Sequence, residues 1–228
     1  PQHILYFHGG GFVIPHVKQH WDILAALAEA TGASVTAAFY DLVPENPARN
    51  ADRLADAAFA KVAESWQPKD IVLAGDSAGG HMALSLSLRL AKVGKTQAGR
   101  LVLFAPWLDV TMQDEAMHAV EPHDFMLAVD TLRELGRIWA EDRDPAGPEC
   151  SPLYTDAETL GNLPPTRIFT GRHDIFIVDS RTFVSKLADA GVDAHLYEYA
   201  GAPHVFMALA ATREAKDVFA LVRDFMKE

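Results

Sequence analysis

The sequence holds a single cysteine, Cys150, so no disulfide can close within the chain. That fits a reducing compartment, and a cytoplasmic location is the expectation. Long apolar runs are missing too. No stretch approaches the roughly 18 consecutive apolar residues of a membrane-spanning helix, so no membrane span is expected. Basic charge is scarce: 20 Lys and Arg stand against 31 Asp and Glu, for a formal net charge of −11. A surface of that sign repels phosphate backbones and anionic headgroups, which argues against nucleic acid or a lipid surface as the main partner. Pro1 to Phe7 carry no basic stretch ahead of an apolar core, so no secretory leader is expected. What the chain does have is apolar material. At 49% hydrophobic and 22% charged residues, 228 residues can bury a sizeable core, which excludes a disordered or collagen-like chain.

Short apolar runs alternate with longer amphipathic ones. Strands are expected at Ile4 to Phe7, Ser34 to Phe39, Ile71 to Ala74, Leu101 to Phe104, Arg167 to Thr170 and Ala194 to Tyr199. Helices are expected at Gln19 to Ala30, from Pro47 through Trp66, and at Gly79 to Val93, Asp130 to Ala140, Asp179 to Ala190 and Thr212 to Met226. Ile23, Leu24, Leu27 and Ala28 show the helical spacing, and Gly32 is a natural stop. Strands without alternating polarity, each followed by a helix, imply a mostly parallel sheet with helices on both faces, an α/β fold. Function in such sheets sits at the carboxyl ends of the strands. Trp107 to Leu163 breaks the rhythm, being far longer than the usual connection of about 4–6 residues. Residues 1–228 therefore read as one catalytic domain with a cap-like insertion around 109–163.

The strongest motif is Gly75-Asp76-Ser77-Ala78-Gly79, which follows an expected strand and opens an expected helix. In that context G-x-S-x-G places a serine on a cramped turn, with its hydroxyl raised above the sheet. The N–H of Ala78, at a helix N-terminus, is set to stabilise a negatively charged oxygen. His8-Gly9-Gly10-Gly11 ends the first strand at the same edge. Three glycines cost backbone entropy. They make sense where the amides of Gly9, Gly10 and Gly11 approach a substrate as oxyanion donors, as in the HGGG loop of lipases and esterases. His8 itself reads as a residue that braces the loop.

Together these motifs make the chain resemble the hormone-sensitive-lipase-like carboxylesterases of the α/β-hydrolase fold. The resemblance extends to Tyr40-Asp41-Leu42-Val43-Pro44-Glu45, where Asp41 replaces the usual arginine, and to Gly80-His81, where asparagine is frequent at the second position. Ser151-Pro152-Leu153, Leu163-Pro164-Pro165 and Gly201-x-x-His204-x-Phe206 match further segments, while residues 109–149 match thinly. The resemblance implies a small-molecule carboxylic ester of short to medium acyl chain as substrate, with no metal or organic cofactor. In that family the HGGG loop follows a third strand, so the N-terminal strands and cap are expected to be missing from this sequence.

A serine nucleophile needs a base, and the base needs an orienting carboxylate. In α/β-hydrolases these follow in the order Ser, acid, His. Of the ten histidines, His173, His195 and His204 come late enough. His195 falls inside a strand and His173 precedes the loop aspartate, whereas His204 sits in a loop after the last strand. His204 is therefore the expected base. Asp174 follows a strand directly, whereas Asp179 reads as a helix N-cap. Asp174 is the expected acid, as the resemblance also implies, with Asp179 as the alternative.

Weaker features read as structural. His16 and His20 have zinc-compatible spacing but no third ligand in view. Cys150 has no motif around it and reads as a packed apolar residue. Trp107, Phe125, Met126, Leu127 and Trp139 suit either an acyl pocket or the packing of the insertion. The same machinery also cleaves thioesters, amides or peptides. A non-catalytic binding relic of the fold is a further alternative, against which the retained His204 speaks. A homodimer stays open.

Overall fold

A computed structural model describes residues 2–228. Six strands form one sheet in the order β2-β1-β3-β4-β5-β6: β1 His3–Phe7, β2 Ser34–Ala38, β3 Ile71–Asp76, β4 Arg100–Phe104, β5 Thr166–His173 and β6 Ala194–Pro203. Every neighbouring pair is parallel. Helices α1 (Lys18–Thr31), α2 (Ala48–Ala63), α3 (Ala78–Lys92), α4 (Met117–Val120), α5 (Val129–Ala140), α6 (Ala157–Leu160), α7 (Ile177–Asp189) and α8 (Arg213–Phe225) connect the strands.

Because a parallel strand is buried on both faces, its side chains supply two cores at once. Leu5, Phe7, Leu73, Leu101 and Leu103 point into the core shared with α2, α3 and the insertion. Their neighbours Ile4, Tyr6, Val72, Val102 and Phe104 point into the one shared with α1 and α8. Each such leucine or phenylalanine stabilises the fold by about 1.5–3 kcal/mol. Helix α3 follows β3 and is buried from Ala78 to Leu88 on every side, so the serine turn at its head is held by the centre of the molecule.

Between β4 and β5 the chain packs inward rather than standing off the sheet. Phe12 stacks on Trp139 with ring centroids 3.8 Å apart, and Trp107 lies 5.4 Å from the same ring. Trp107 and Trp139 are fully buried, whereas Phe125 and Met126 are exposed. The apolar set of the insertion thus divides into two tryptophans that pack, Leu127 half-buried against the same core, and two residues left at the surface.

Two expectations need correcting. Asp179 does not cap α7: the helix starts at Ile177 with Phe176 at the cap position. The reason is the turn before it, where Asp174 Oδ1 accepts the Phe176 N–H at 2.9 Å and the Asp174 carbonyl accepts from Ile177 at 3.0 Å. Asp179 falls inside the first helical turn, buried, with neither carboxyl oxygen hydrogen-bonded among the described residues. Burial, reinforced by Asp109 and Asp114, pushes its carboxyl well above the usual range. In addition, β5 and β6 run three to four residues past their apolar cores, because Gly171 and His173 still pair with Tyr199 and Pro203 across a bulge.

Candidate active site

The carboxyl ends of β1, β3, β5 and β6 bring the motifs together. Ser77 stands between β3 and α3 with φ 53° and ψ −120°, a conformation that side-chain-bearing residues rarely adopt. The strain is held by three backbone bonds. Ser77 N–H donates to Phe104 O at 2.9 Å, and Ser77 O accepts from His81 and Trp107 at 3.1 Å each. The close turn also needs Gly79 without a side chain, since a Cβ there would collide with the Phe7 carbonyl.

His204 follows β6 directly, and its ring reaches back over this turn. Its Nδ1 lies 2.8 Å from Asp174 Oδ2 and its Nε2 lies 3.0 Å from Ser77 Oγ. Since a carboxylate only accepts, Nδ1 carries the proton and Nε2 presents its lone pair to the serine hydroxyl. All three side chains are buried or nearly so, and Phe176 meets the imidazole edge-on at 5.2 Å. Burial pulls the His204 pKa down. The Asp174 carboxylate, through charge and hydrogen bond, outweighs it with help from Asp124 and Asp76, and holds the imidazole above its ordinary value. Ser77, Asp174 and His204 are thus brought together, whereas His195 lies in β6 beside Tyr197 and His173 stacks on His123.

The glycine loop requires one change to the expected donor set. The Gly9 amide already donates to Asp76 Oδ1 at 3.0 Å, so it is not available to an oxyanion. Gly10 and Gly11 follow at φ 116° and 58°, and Ala78 opens α3, where helix geometry leaves the first N–H groups without intrahelical acceptors.

Asp76 also accepts the Tyr6 hydroxyl at 2.6 Å. His20 Nδ1 accepts the Val17 N–H at 2.9 Å, which leaves Nε2–H facing Asp76 Oδ2 at 3.6 Å. Burial pushes the Asp76 carboxyl up, but His20, Tyr6 and the Gly9 amide hold it below its ordinary value. This carboxylate fixes the glycine loop to the serine turn, a role that its place inside the G-x-S-x-G motif does not announce. His8 braces the loop as expected: Nδ1 contacts Gly9 O at 2.7 Å, and the ring stacks on Tyr40 at 4.4 Å. The Tyr40 hydroxyl donates to His8 O at 2.6 Å, which explains why a tyrosine begins the segment after β2. Cys150 is buried, and burial pushes its thiol up to about 11, so it is no thiolate nucleophile at neutral pH.

A parallel sheet whose central strand turns through a strained serine into a buried helix defines an α/β-hydrolase. The alpha/beta hydrolase fold family matches this chain over residues 4–208. An esterase from Acinetobacter venetianus is 34% identical over 227 residues, a span of 98% of this chain and 74% of that protein. Among solved structures, an esterase from the bacterial hormone-sensitive lipase family superposes with a TM-score of 0.93 at 30% identity, covering 99% of this chain and 76% of the other. A hormone-sensitive lipase from a metagenome library gives 0.90 at 30% identity, with 99% and 77% covered. The chain belongs to the hormone-sensitive-lipase-like esterases of the α/β-hydrolase fold, and it is an enzyme of carboxylic ester hydrolysis. Among the described residues, no helix is long and apolar enough to cross a membrane.

Proposed function

We propose that this esterase works through a Ser77–His204–Asp174 triad and an acyl-enzyme intermediate on carboxylic esters of short to medium acyl chain. The observation that carries the reading is the unbroken chain of contacts from Asp174 Oδ2 through His204 to Ser77 Oγ. His204 Nε2 takes the serine proton as Oγ attacks the ester carbonyl. The amides of Gly10, Gly11 and Ala78 receive the tetrahedral oxyanion. Asp174 holds the Nδ1–H tautomer and stabilises the imidazolium. The imidazolium then protonates the leaving alcohol, and water, deprotonated by the same nitrogen, releases the acid. The short to medium acyl range rests on family resemblance. A panel of aryl esters from acetate to palmitate is expected to give its highest kcat/KM at or below octanoate. An optimum at palmitate would contradict that range.

The pH dependence follows from the charge around His204. The base must be neutral, so kcat/KM is complete above the imidazole pKa and falls as pH drops through it. Because the carboxylates raise that pKa, the acid limb is expected above the ordinary imidazole value of about 6.5, with a slope of one proton. Initial rates from pH 5 to 9 measure this. A flat profile would contradict His204 as base.

A further inference from the structure

Asp124 has no part in the triad, yet it is almost fully buried where the insertion meets the acid loop. Its Oδ1 accepts the N–H groups of Met126 and Leu127 at 2.9 and 3.0 Å, closing its own turn. Its Oδ2 reaches across 51 positions of sequence to accept the Ile175 N–H at 3.0 Å. The next amide, Phe176, donates to Asp174 Oδ1. Successive amides of the acid loop are therefore received by two different carboxylates, one inside the loop and one from the insertion. The stack of His123 on His173, with centroids 5.3 Å apart, fastens the same two segments one residue further out. An Asp that only closed a turn would need the first pair of bonds and could leave Oδ2 to water. Here Oδ2 is directed at the backbone beside Asp174.

We propose that Asp124 is a positioning residue for ester hydrolysis: from the insertion it clamps the Ile175 amide, so that Asp174 is aimed at His204, and it sets a second negative charge near the imidazole. The inference rests on the triad reading above. Around His204 the charged groups are Asp174 from the acid loop, Asp124 from the insertion and Asp76 from the serine turn, and all three favour the protonated ring.

The test is Asp124→Asn, which keeps the shape but has only one oxygen for two groups of donors. Its neutral side chain also removes the charge. Turnover of a short-chain aryl ester is expected to fall roughly tenfold to a hundredfold, the range typical of partners that orient a functional group, and mostly in kcat rather than KM. The acid limb is expected to move to lower pH, because one of the carboxylates favouring the imidazolium is gone. Asp124→Glu restores the charge and is expected to return the limb towards the parent position. A merely structural Asp124 would lower the melting temperature and the active fraction while leaving the limb in place, and that result overturns the proposal. So does a parental kcat with a parental limb. Ser77→Ala run in parallel separates the two levels. If it still turns over like the parent, the triad reading has failed. If it is inactive while Asp124→Asn matches the parent, only the positioning role has failed.

Discussion

Ser77→Ala is expected to lose turnover of a short-chain aryl ester by roughly ten-thousandfold to a millionfold, with the fold intact. The loss is large because the hydroxyl is the atom that bonds to the acyl group, and no neighbouring nucleophile can replace it. Cys150 is the one thiol in the chain, and it is buried and held protonated. The fold should survive because Ser77 is anchored through its backbone, by the bonds to Phe104, His81 and Trp107. Its side chain makes one hydrogen bond among the described residues, to His204. The strained backbone costs alanine about what it costs serine, so the melting temperature should move by no more than about 4 °C, the shift of roughly 1 kcal/mol in a domain this size. Residual rate would come from the amides that receive the oxyanion. Initial rates and a thermal melt measure both quantities, and activity within tenfold of the parent would contradict a serine nucleophile.

Replacing the acid should cost nearly as much. Asp174→Asn is expected to lower kcat roughly ten-thousandfold at neutral pH. Asp174 uses one oxygen for the Phe176 amide and the other for His204 Nδ1–H. Asparagine has a single oxygen. If it keeps the turn, its NH2 group faces the imidazole and forces the proton onto Nε2, so the lone pair that should take the serine proton is lost. If it keeps the imidazole, the turn before α7 loses its bond. Asp179→Asn provides the contrast. Among the described residues its carboxyl has no hydrogen-bond partner, and burial pushes its pKa well above the ordinary carboxylate range, so an amide of the same shape removes no hydrogen bond. That variant is expected to stay within about threefold of the parent, since the substitution breaks no hydrogen bond to Ser77, His204 or the turn that holds Asp174. The opposite ranking of the two variants in steady-state kinetics would reassign the acid to Asp179.

The parts of this molecule that were legible in the sequence are those whose physics is local. Apolar runs such as Ile71 to Ala74 and Leu101 to Phe104 marked the strands because a strand covered on both faces reads as a near-continuous apolar run. The serine turn and the glycine loop were legible because cramped backbone excludes side chains at fixed spacings. The ends of β5 and β6 were not. Gly171 and Gly201-Ala202-Pro203 look like loop, and only pairing between the two strands makes them sheet. The one-turn helices α4 and α6 are too short to show any periodicity. Asp179 looked like a cap because it precedes an amphipathic run, but Asp174 had already turned the chain five residues earlier. Within the site, the missing pieces were contacts between distant segments. Tyr6 and Asp76 are 70 positions apart, and Asp124 and Ile175 are 51 apart. No spacing rule connects them, so their meeting is a property of the fold alone.

The central claim is that Ser77 is the nucleophile and His204 its base. A fluorophosphonate reacts fastest with a serine that an adjacent base has activated, and the adduct can be located by peptide mass. The expected result is one adduct, on the peptide containing Ser77, absent in Ser77→Ala and formed at least a hundredfold more slowly in His204→Ala, in line with the contribution of a positioned general base. An adduct on any other residue, or a folded and active esterase that takes no label at Ser77, would contradict it.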